Sequence, residues 1–146
     1  MNSELVYLVQ TDTTVGFASQ NSDKLAVVKN RSKEKKFLRT YSSLKLLQSE
    51  TRVQKSARKI IRRAKNTTFV YKDGYARRVV FNTGYYDFLK RFEWMYSTSA
   101  NPSGENFSKE WAKNQCDAIV YSDEKFEVKN ASSIFKISKI KMKKLR

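Results

Sequence analysis

The chain has 146 residues, with thirty Lys and Arg against fourteen Asp and Glu, a formal charge of +16, one cysteine and no histidine. Those counts exclude an internal disulfide, remove Ser-His and Cys-His catalysis, and argue against a zinc site. A hydrophobic fraction of 40% argues against disorder and predicts one domain over residues 1–146, while the excess of cations predicts a polyanionic partner such as nucleic acid or nucleotide phosphates. No apolar run approaches the ~20 residues of a membrane span, and no signal-peptide pattern opens the chain, so a cytoplasmic protein with no membrane partner is expected.

Residues 5–9 form a continuous apolar run that reads as a strand buried on both faces. Polar residues follow directly, from Gln10 to Thr14, with Gly16 expected to let the backbone turn. Ser22 is the expected cap of a helix to about Asn30, whose last turn carries Lys29 and leads to Arg31. Cations there suit the negative end of the helix dipole, and equally an anion site. Residues 37–41 read as a strand, and Ser42 or Ser43 as the start of a short helix.

Residues 51–65 show Val53, Ala57, Ile60, Ile61 and Ala64 at helical spacing. Lys55, Arg58, Lys59, Arg62 and Arg63 cover the remaining surface of that helix. Fourteen cations and two acids fall between Lys29 and Lys65, which is either a solvated face or an anion-binding surface. Residues 67–72 and 75–81 read as two strands joined by the hairpin signal Asp73-Gly74. Arg77 and Arg78 are adjacent on the second strand and so point to opposite faces. One of them therefore lies on the apolar side and needs an anion, from the protein or from a ligand.

Residues 85–91 suggest an aromatic-rich helix and 92–96 a strand. The loop Ser97-Thr98-Ser99-Ala100-Asn101-Pro102-Ser103-Gly104 comes next, before a helix capped by Ser108. Such a loop is either a polar connector or a ligand loop at the strand edge of an open α/β sheet. Cys116 precedes an apolar strand at 118–121 and reads as a buried thiol. The tail is basic, with Ile140 and Met142 alternating among lysines up to Arg146. Strands interleaved with helices, plus a hairpin, predict an α/β fold with a mixed sheet.

Taken in order, these clusters resemble the YrdC-like family, the threonylcarbamoyl-AMP synthases. Residues 8–17, LVQTDTTVGF, resemble the family's strand ending P-T-[DE]-T-x-Y-G-L, and Lys29-Asn30-Arg31-Ser32 its K-x-R-P. Thr68-Phe69-Val70 resembles a T-x-V strand, Ala76-Arg77-Arg78-Val79 an A-V-R-hydrophobic strand, and residues 97–104 match S-T-S-A-N-x-S-G. Ser132-Ser133-Ile134 and Leu145-Arg146 resemble the late S-T-[IV] and closing L-R. Gln10, Val15 and Ser32 replace the family's proline, tyrosine and proline, Asn66-Thr67 stands where Gly-Pro is usual, and the chain is short for the family.

The resemblance implies an open, twisted sheet with flanking helices around a basic cavity. It also implies a reaction, in which L-threonine, bicarbonate and ATP, with Mg2+ accompanying the ATP, give threonylcarbamoyl-AMP and pyrophosphate. That product serves the modification of adenosine 37 in tRNA, with other tRNA-modification proteins as further partners. By resemblance Lys29 and Arg31 are the catalytic pair and bind phosphates. Ser97, Ser99, Asn101, Ser132 and Arg146 hold the nucleotide. Thr11 and Thr13 line the threonine pocket, and Arg78 meets an anionic group of substrate. No resident metal is implied. The alternative is a YrdC-like RNA-binding module, for double-stranded RNA, tRNA or rRNA, using Lys55, Arg58, Lys59, Arg62 and Arg63. A third reading is a carbamoyl-transfer domain like those of hydrogenase maturation proteins.

Overall fold

The computed structural model describes residues 1–121, 125–138 and 141–146. Among them nine strands make one mixed sheet. The first two, β1 (Tyr7–Gln10) and β2 (Val15–Ser19), pair antiparallel across the polar turn at 11–14. The strands β3 (Leu38–Tyr41), β4 (Thr67–Val70), β5 (Ala76–Val79) and β6 (Trp94–Ser99) build the centre. The outer strands are β7 (Ala118–Ile119), β8 (Ser133–Ile137) and β9 (Met142–Lys144). The spatial order is β7-β1-β2-β6-β3-β5-β4-β8-β9, with β1/β7, β3/β5 and β4/β8 parallel and the remaining neighbours antiparallel.

Five helices connect the strands among the described residues: α1 (Ser22–Val28), α2 (Leu44–Glu50), α3 (Lys55–Arg63), α4 (Gly84–Leu89) and α5 (Lys109–Gln115). Four begin on a side-chain oxygen that accepts from the first turn, as short polar caps should: Asn21, Ser43, Thr83 and Ser108. Asn21 rather than the expected Ser22 caps α1, its Oδ1 accepting from Lys24 N at 2.9 Å.

Strand alternation divides the sheet into two unlike faces. One face carries Leu8 and Phe17 beneath α1 and α5, and Tyr41, Phe69 and Ile137 beneath α2 and α3. Leu47 and Ile61, both at 0% exposure, are the fully buried anchors of α2 and α3, and each contributes roughly 1.5–3 kcal/mol by burial. The opposite face carries Tyr7, Val9, Ala18 and Met95 beneath α4. Farther along that face, on the β3–β5–β4 side, stand Thr40, Arg78 and Thr68.

Further expectations change. Cys116, expected to be a buried thiol, is only half-buried, and the strand expected over 92–96 spans Trp94–Ser99. Residues 15–19 are a strand, and Gly16 lies inside it; a Cβ there would stand 2.8 Å from the Thr98 carbonyl oxygen, so close approach of β6 demands the glycine rather than a turn. The helix expected over 51–65 spans only Lys55–Arg63, because residues 51–54 are extended and deliver Val53 to the core from outside it. Ile60, expected on its apolar side, is 52% exposed. The strand expected over 118–121 pairs only at Ala118–Ile119. Ile140 lies outside the described residues.

Candidate functional site

The segment after α1 explains how Lys29 and Arg31 are presented. Lys29 caps the helix, Asn30 takes a left-handed conformation with φ 45°, Asn30 N donates to Val27 O, and Arg31 N donates to Ala26 O. That is a Schellman cap, which satisfies the last carbonyls and turns the chain sharply. Asparagine suits the middle position because it tolerates positive φ. Lys29 is 6% exposed, and its ammonium reaches the loop after β6. It donates to Ser99 O at 2.9 Å, to Asn101 Oδ1 at 3.3 Å, and to the Asn101 carbonyl oxygen. Burial, aided by the nearby Arg31 charge, pushes the Lys29 pKa down to about 8.

Arg31 lies over the Phe37 ring at 4.6 Å, and its Nη2 donates to Lys36 O at 3.0 Å. Its Nε is buried and meets no partner among the described residues. Burial also lowers its pKa from the usual arginine value. Asn101 holds the loop in shape, with Nδ2 donating to Glu105 O at 2.7 Å and Pro102 O at 3.0 Å. Ser99 is exposed at the end of β6, opposite Gly16. Ser97 is buried two residues earlier, opposite Ala18 and Leu38.

A second group centres on Arg78, which is 4% exposed. Its Nη1 donates to Asp12 Oδ1 at 2.9 Å and to Thr13 Oγ1 at 3.3 Å. Its Nε and Nη2 donate to Thr68 Oγ1 at 3.2 and 2.8 Å. The Thr68 hydroxyl also meets Ser132 Oγ at 3.1 Å, and Ser132 O accepts from Arg146 Nε at 3.1 Å. The hydroxyls of Thr11 and Thr13 are 3.3 Å apart. Thr11, Thr13, Arg78, Ser132 and Arg146 thus belong to one hydrogen-bonded seam that runs from the β1–β2 turn across β5 and β4 to the residue before β8 and the residue at 146. Gly16 joins the seam to the Lys29 group, since its missing Cβ would sit 3.1 Å from Thr11 Cγ2 and it pairs with Ser99. A cavity of about 180 Å³ opens beside Asp12, with Asn66, Val80 and Thr83 in its wall.

Both strand arginines are buried against protein carboxylates. Asp12 answers Arg78, and Asp73 answers Arg77 with bonds of 2.7 and 2.9 Å. The anion that Arg78 meets in this structure is therefore Asp12. Sequence reasoning missed three members of the site. Asp12 and Thr68 stood inside the quoted motifs, but their partner is far away in the chain. Gln10 was read as a departure from the family's pattern, yet it is 4% exposed and its Oε1 accepts from Glu127 N at 2.8 Å. It fastens a late segment to the end of β1.

The α3 cations lie elsewhere. Lys55, Arg58, Lys59, Arg62 and Arg63 are exposed on the outer side of a helix that packs through Ala57 and Ile61, away from the Arg78 face. Among the described residues no three Cys, Asp or Glu side chains gather to hold a metal ion, and no helix is long and apolar enough to cross a membrane.

No family model matches the chain, and no curated protein is similar to it. Solved structures are similar over nearly its whole length. The crystal structure of P. abyssi Sua5 complexed with L-threonine superimposes with a TM-score of 0.81 at 15% identity, covering 98% of this chain and 50% of that one. E. coli YciO gives 0.78 at 16% identity, covering 98% of this chain and 82% of the other. Full-length HypF in a phosphate- and nucleotide-bound form gives 0.72 at 13% identity, covering 98% of this chain and 27% of the other. The chain spans about half the length of Sua5. Likeness at these identities is one of fold, and the fold it shows is the one the ordered motifs implied: this chain has the mixed-sheet fold of the YrdC-like proteins Sua5 and YciO.

Proposed function

We propose that this chain is an L-threonylcarbamoyladenylate synthase-like nucleotidyltransferase acting in tRNA modification. One observation carries the reading: the seam from Thr11 through Arg78 to Arg146 adjoins a buried lysine that braces the Ser99–Asn101 loop. The L-threonine bound to Sua5 and the nucleotide bound to HypF support the two halves of that assignment. The L-threonine amine would add to bicarbonate with loss of water, giving a carbamate. A carbamate oxygen would then attack the α-phosphorus of ATP, and pyrophosphate would leave.

This chemistry needs charge stabilisation and positioning more than proton transfer, so the lack of histidine is no obstacle. Lys29 and Arg31 would neutralise charge on the phosphates. Thr11 and Thr13 would hold L-threonine, with Arg78 fixed behind them by Asp12. Ser97, Ser99, Asn101, Ser132 and Arg146 would position the nucleotide. Mg2+ would enter on the ATP phosphates, and the reaction would run in the cytoplasm, where tRNA is the acceptor's source. The test is product formation from labelled bicarbonate with ATP and L-threonine, beside Lys29→Ala. Threonine-dependent threonylcarbamoyl-AMP, lost in the variant, is expected. Product from Lys29→Ala at the wild-type rate would overturn the site.

A second reading, RNA binding, has its own observation. The cations Lys55, Lys59, Arg62 and Arg63 are exposed and make no ion pair among the described residues. Neutralising Arg58, Arg62 and Arg63 together should weaken RNA binding and flatten its salt dependence, the log–log slope falling by about 0.7–0.9 for each phosphate no longer neutralised. An unchanged slope would remove α3 from the RNA surface.

A further inference from the structure

The helices leave a strip of one sheet face uncovered. On the face opposite Arg78, Leu8 and Phe17 lie beneath α1 and α5, and Tyr41 and Phe69 beneath α2 and α3. Between the two groups stand Tyr96, which leans on the first, Trp94, which leans on the second, and Arg39. Trp94 and Tyr96 are alternate residues of β6, so both point to this face, opposite Tyr41 and Arg39 of β3. The Arg39 guanidinium lies 4.9 Å from the Tyr96 ring, 5.3 Å from the Trp94 ring and 4.7 Å from the ring of Tyr75, just after the β4–β5 turn. Trp94 and Tyr96 meet edge to face at 5.2 Å. Lys36 Nζ stands over Tyr75 at 4.2 Å, and both Lys35 and Lys36 are exposed. Arg39, Tyr75, Trp94 and Tyr96 each keep part of their surface in solvent.

Three features narrow the occupant. The rings already hold this chain's own guanidinium, so a methylammonium or other cationic ligand finds no cage to enter. Arg39 Nη1 donates to Glu50 Oε2 at 2.6 Å, and its Nη2 donates to the Tyr96 hydroxyl at 2.7 Å. A ligand carboxylate on Arg39 would therefore meet the Glu50 carboxylate, whereas a neutral planar ring can stack on this strip without displacing either bond. The cations of Lys35 and Lys36 call for anions beside that ring, which an apolar or proline-rich peptide does not bring. Neutral planar rings joined by anions are the chemistry of nucleic acid, and bases present their faces to a sheet only when unpaired. We propose that this strip is a stacking platform for single-stranded RNA, with bases on Trp94, Tyr75 and the Arg39–Tyr96 stack and phosphates on Lys35 and Lys36. The proposal rests on RNA as the partner class, as the α3 reading does, but on a different surface, and it is independent of the synthase reading.

The test is NMR of the full chain, read at the indole N–H signals of its two tryptophans, Trp94 in the strip and Trp111 against Phe17. The probes are a single-stranded oligouridylate of six nucleotides, a blunt RNA duplex and a linear polyphosphate of matched charge. Oligouridylate should shift the Trp94 signal and spare that of Trp111, and neither duplex nor polyphosphate should shift Trp94. Tyr75→Leu, which removes a ring at the surface, and Trp94→Leu should each weaken oligouridylate about tenfold at the Lys36 amide while polyphosphate affinity holds. The proposal is overturned if oligouridylate leaves Trp94 unmoved, if the duplex or polyphosphate moves it equally, or if Tyr75→Leu binds oligouridylate as tightly as wild type. A chain neutralised at Arg58, Arg62 and Arg63 should keep the Trp94 shift, so this strip and α3 fail separately; loss of the shift in that chain would assign the response to α3 instead.

Discussion

Raising the pH from 7 to 9 should weaken ATP binding about tenfold, because the protonated fraction of Lys29 falls about tenfold across a pKa of about 8. The ammonium has three N–H donors and three acceptors, at Ser99 O and at both oxygens of Asn101. Deprotonation removes a charge from the phosphate site and leaves two donors for three acceptors. Both effects act against the nucleotide. The linkage to folding runs the other way. The folded pKa lies below the ordinary lysine value of 10.5, so between about 8 and 10.5 the unfolded chain binds more protons, and the Lys29 contribution to stability rises with pH. Binding should therefore fall while this lysine makes the fold no weaker. Calorimetric ATP titrations at half-unit pH steps, beside thermal melts and the Lys29→Gln variant, separate the two. Wild type should show the tenfold loss, and Lys29→Gln should bind weakly with a flat profile. A flat wild-type profile between pH 7 and 9 would refute the reasoning, as would the same slope in Lys29→Gln.

Three further outcomes follow from the geometry. Asp12→Asn strips the buried Arg78 of its counter-charge and should cost about 3 kcal/mol, lowering Tm by about 10 °C in a calorimetric melt; an unchanged Tm would mean that Arg78 finds its anion elsewhere. Gly16→Ala places a methyl 2.8 Å from the Thr98 carbonyl oxygen, so it should cost about 1–3 kcal/mol and speed amide exchange along β2 and β6 while the α3 amides hold. Asn30→Val should cost about 1–2 kcal/mol and weaken ATP binding, whereas Asn30→Gly should leave both near wild type, because only the first resists φ 45°; equal behaviour of the two would dissociate the Schellman cap from the site.

Much of the fold could be read locally. Ser43 and Ser108 cap their helices, and Asp73-Gly74 turns the β4–β5 hairpin with Gly74 at φ 79°. The expected loop at 97–104 is a loop only from Ala100, because Ser97–Ser99 end β6, but it does precede a helix. Errors arose where a core position is supplied from outside a regular element. Val53 stands four residues before Ala57 and imitates a helical stripe, although it reaches the core from extended backbone. The β2 strand carries no alternation because all five of its residues are buried, and its glycine resembles a turn signal. The polar seam was legible only as motifs in series. The adjacent arginines predicted that one of them would need an anion, whereas both are buried against carboxylates, and choosing Asp12 for Arg78 requires a contact across 66 residues. Gln10 shows the limit of pattern matching, since it departs from the familiar proline while fastening Glu127 to the first strand.

The two margins of the sheet are closed by different means. β7 contributes two residues, too short a template for another strand to register against. At the other margin, β9 is wholly exposed, but Lys141, Lys143 and Lys144 crowd its three-residue ladder and its immediate start. A second copy approaching edge to edge would bring its own lysines into repulsion with these. The basic tail therefore acts as a barrier to sheet-to-sheet aggregation. A polyanion can dock along that margin, whereas an extended peptide gains little backbone pairing there.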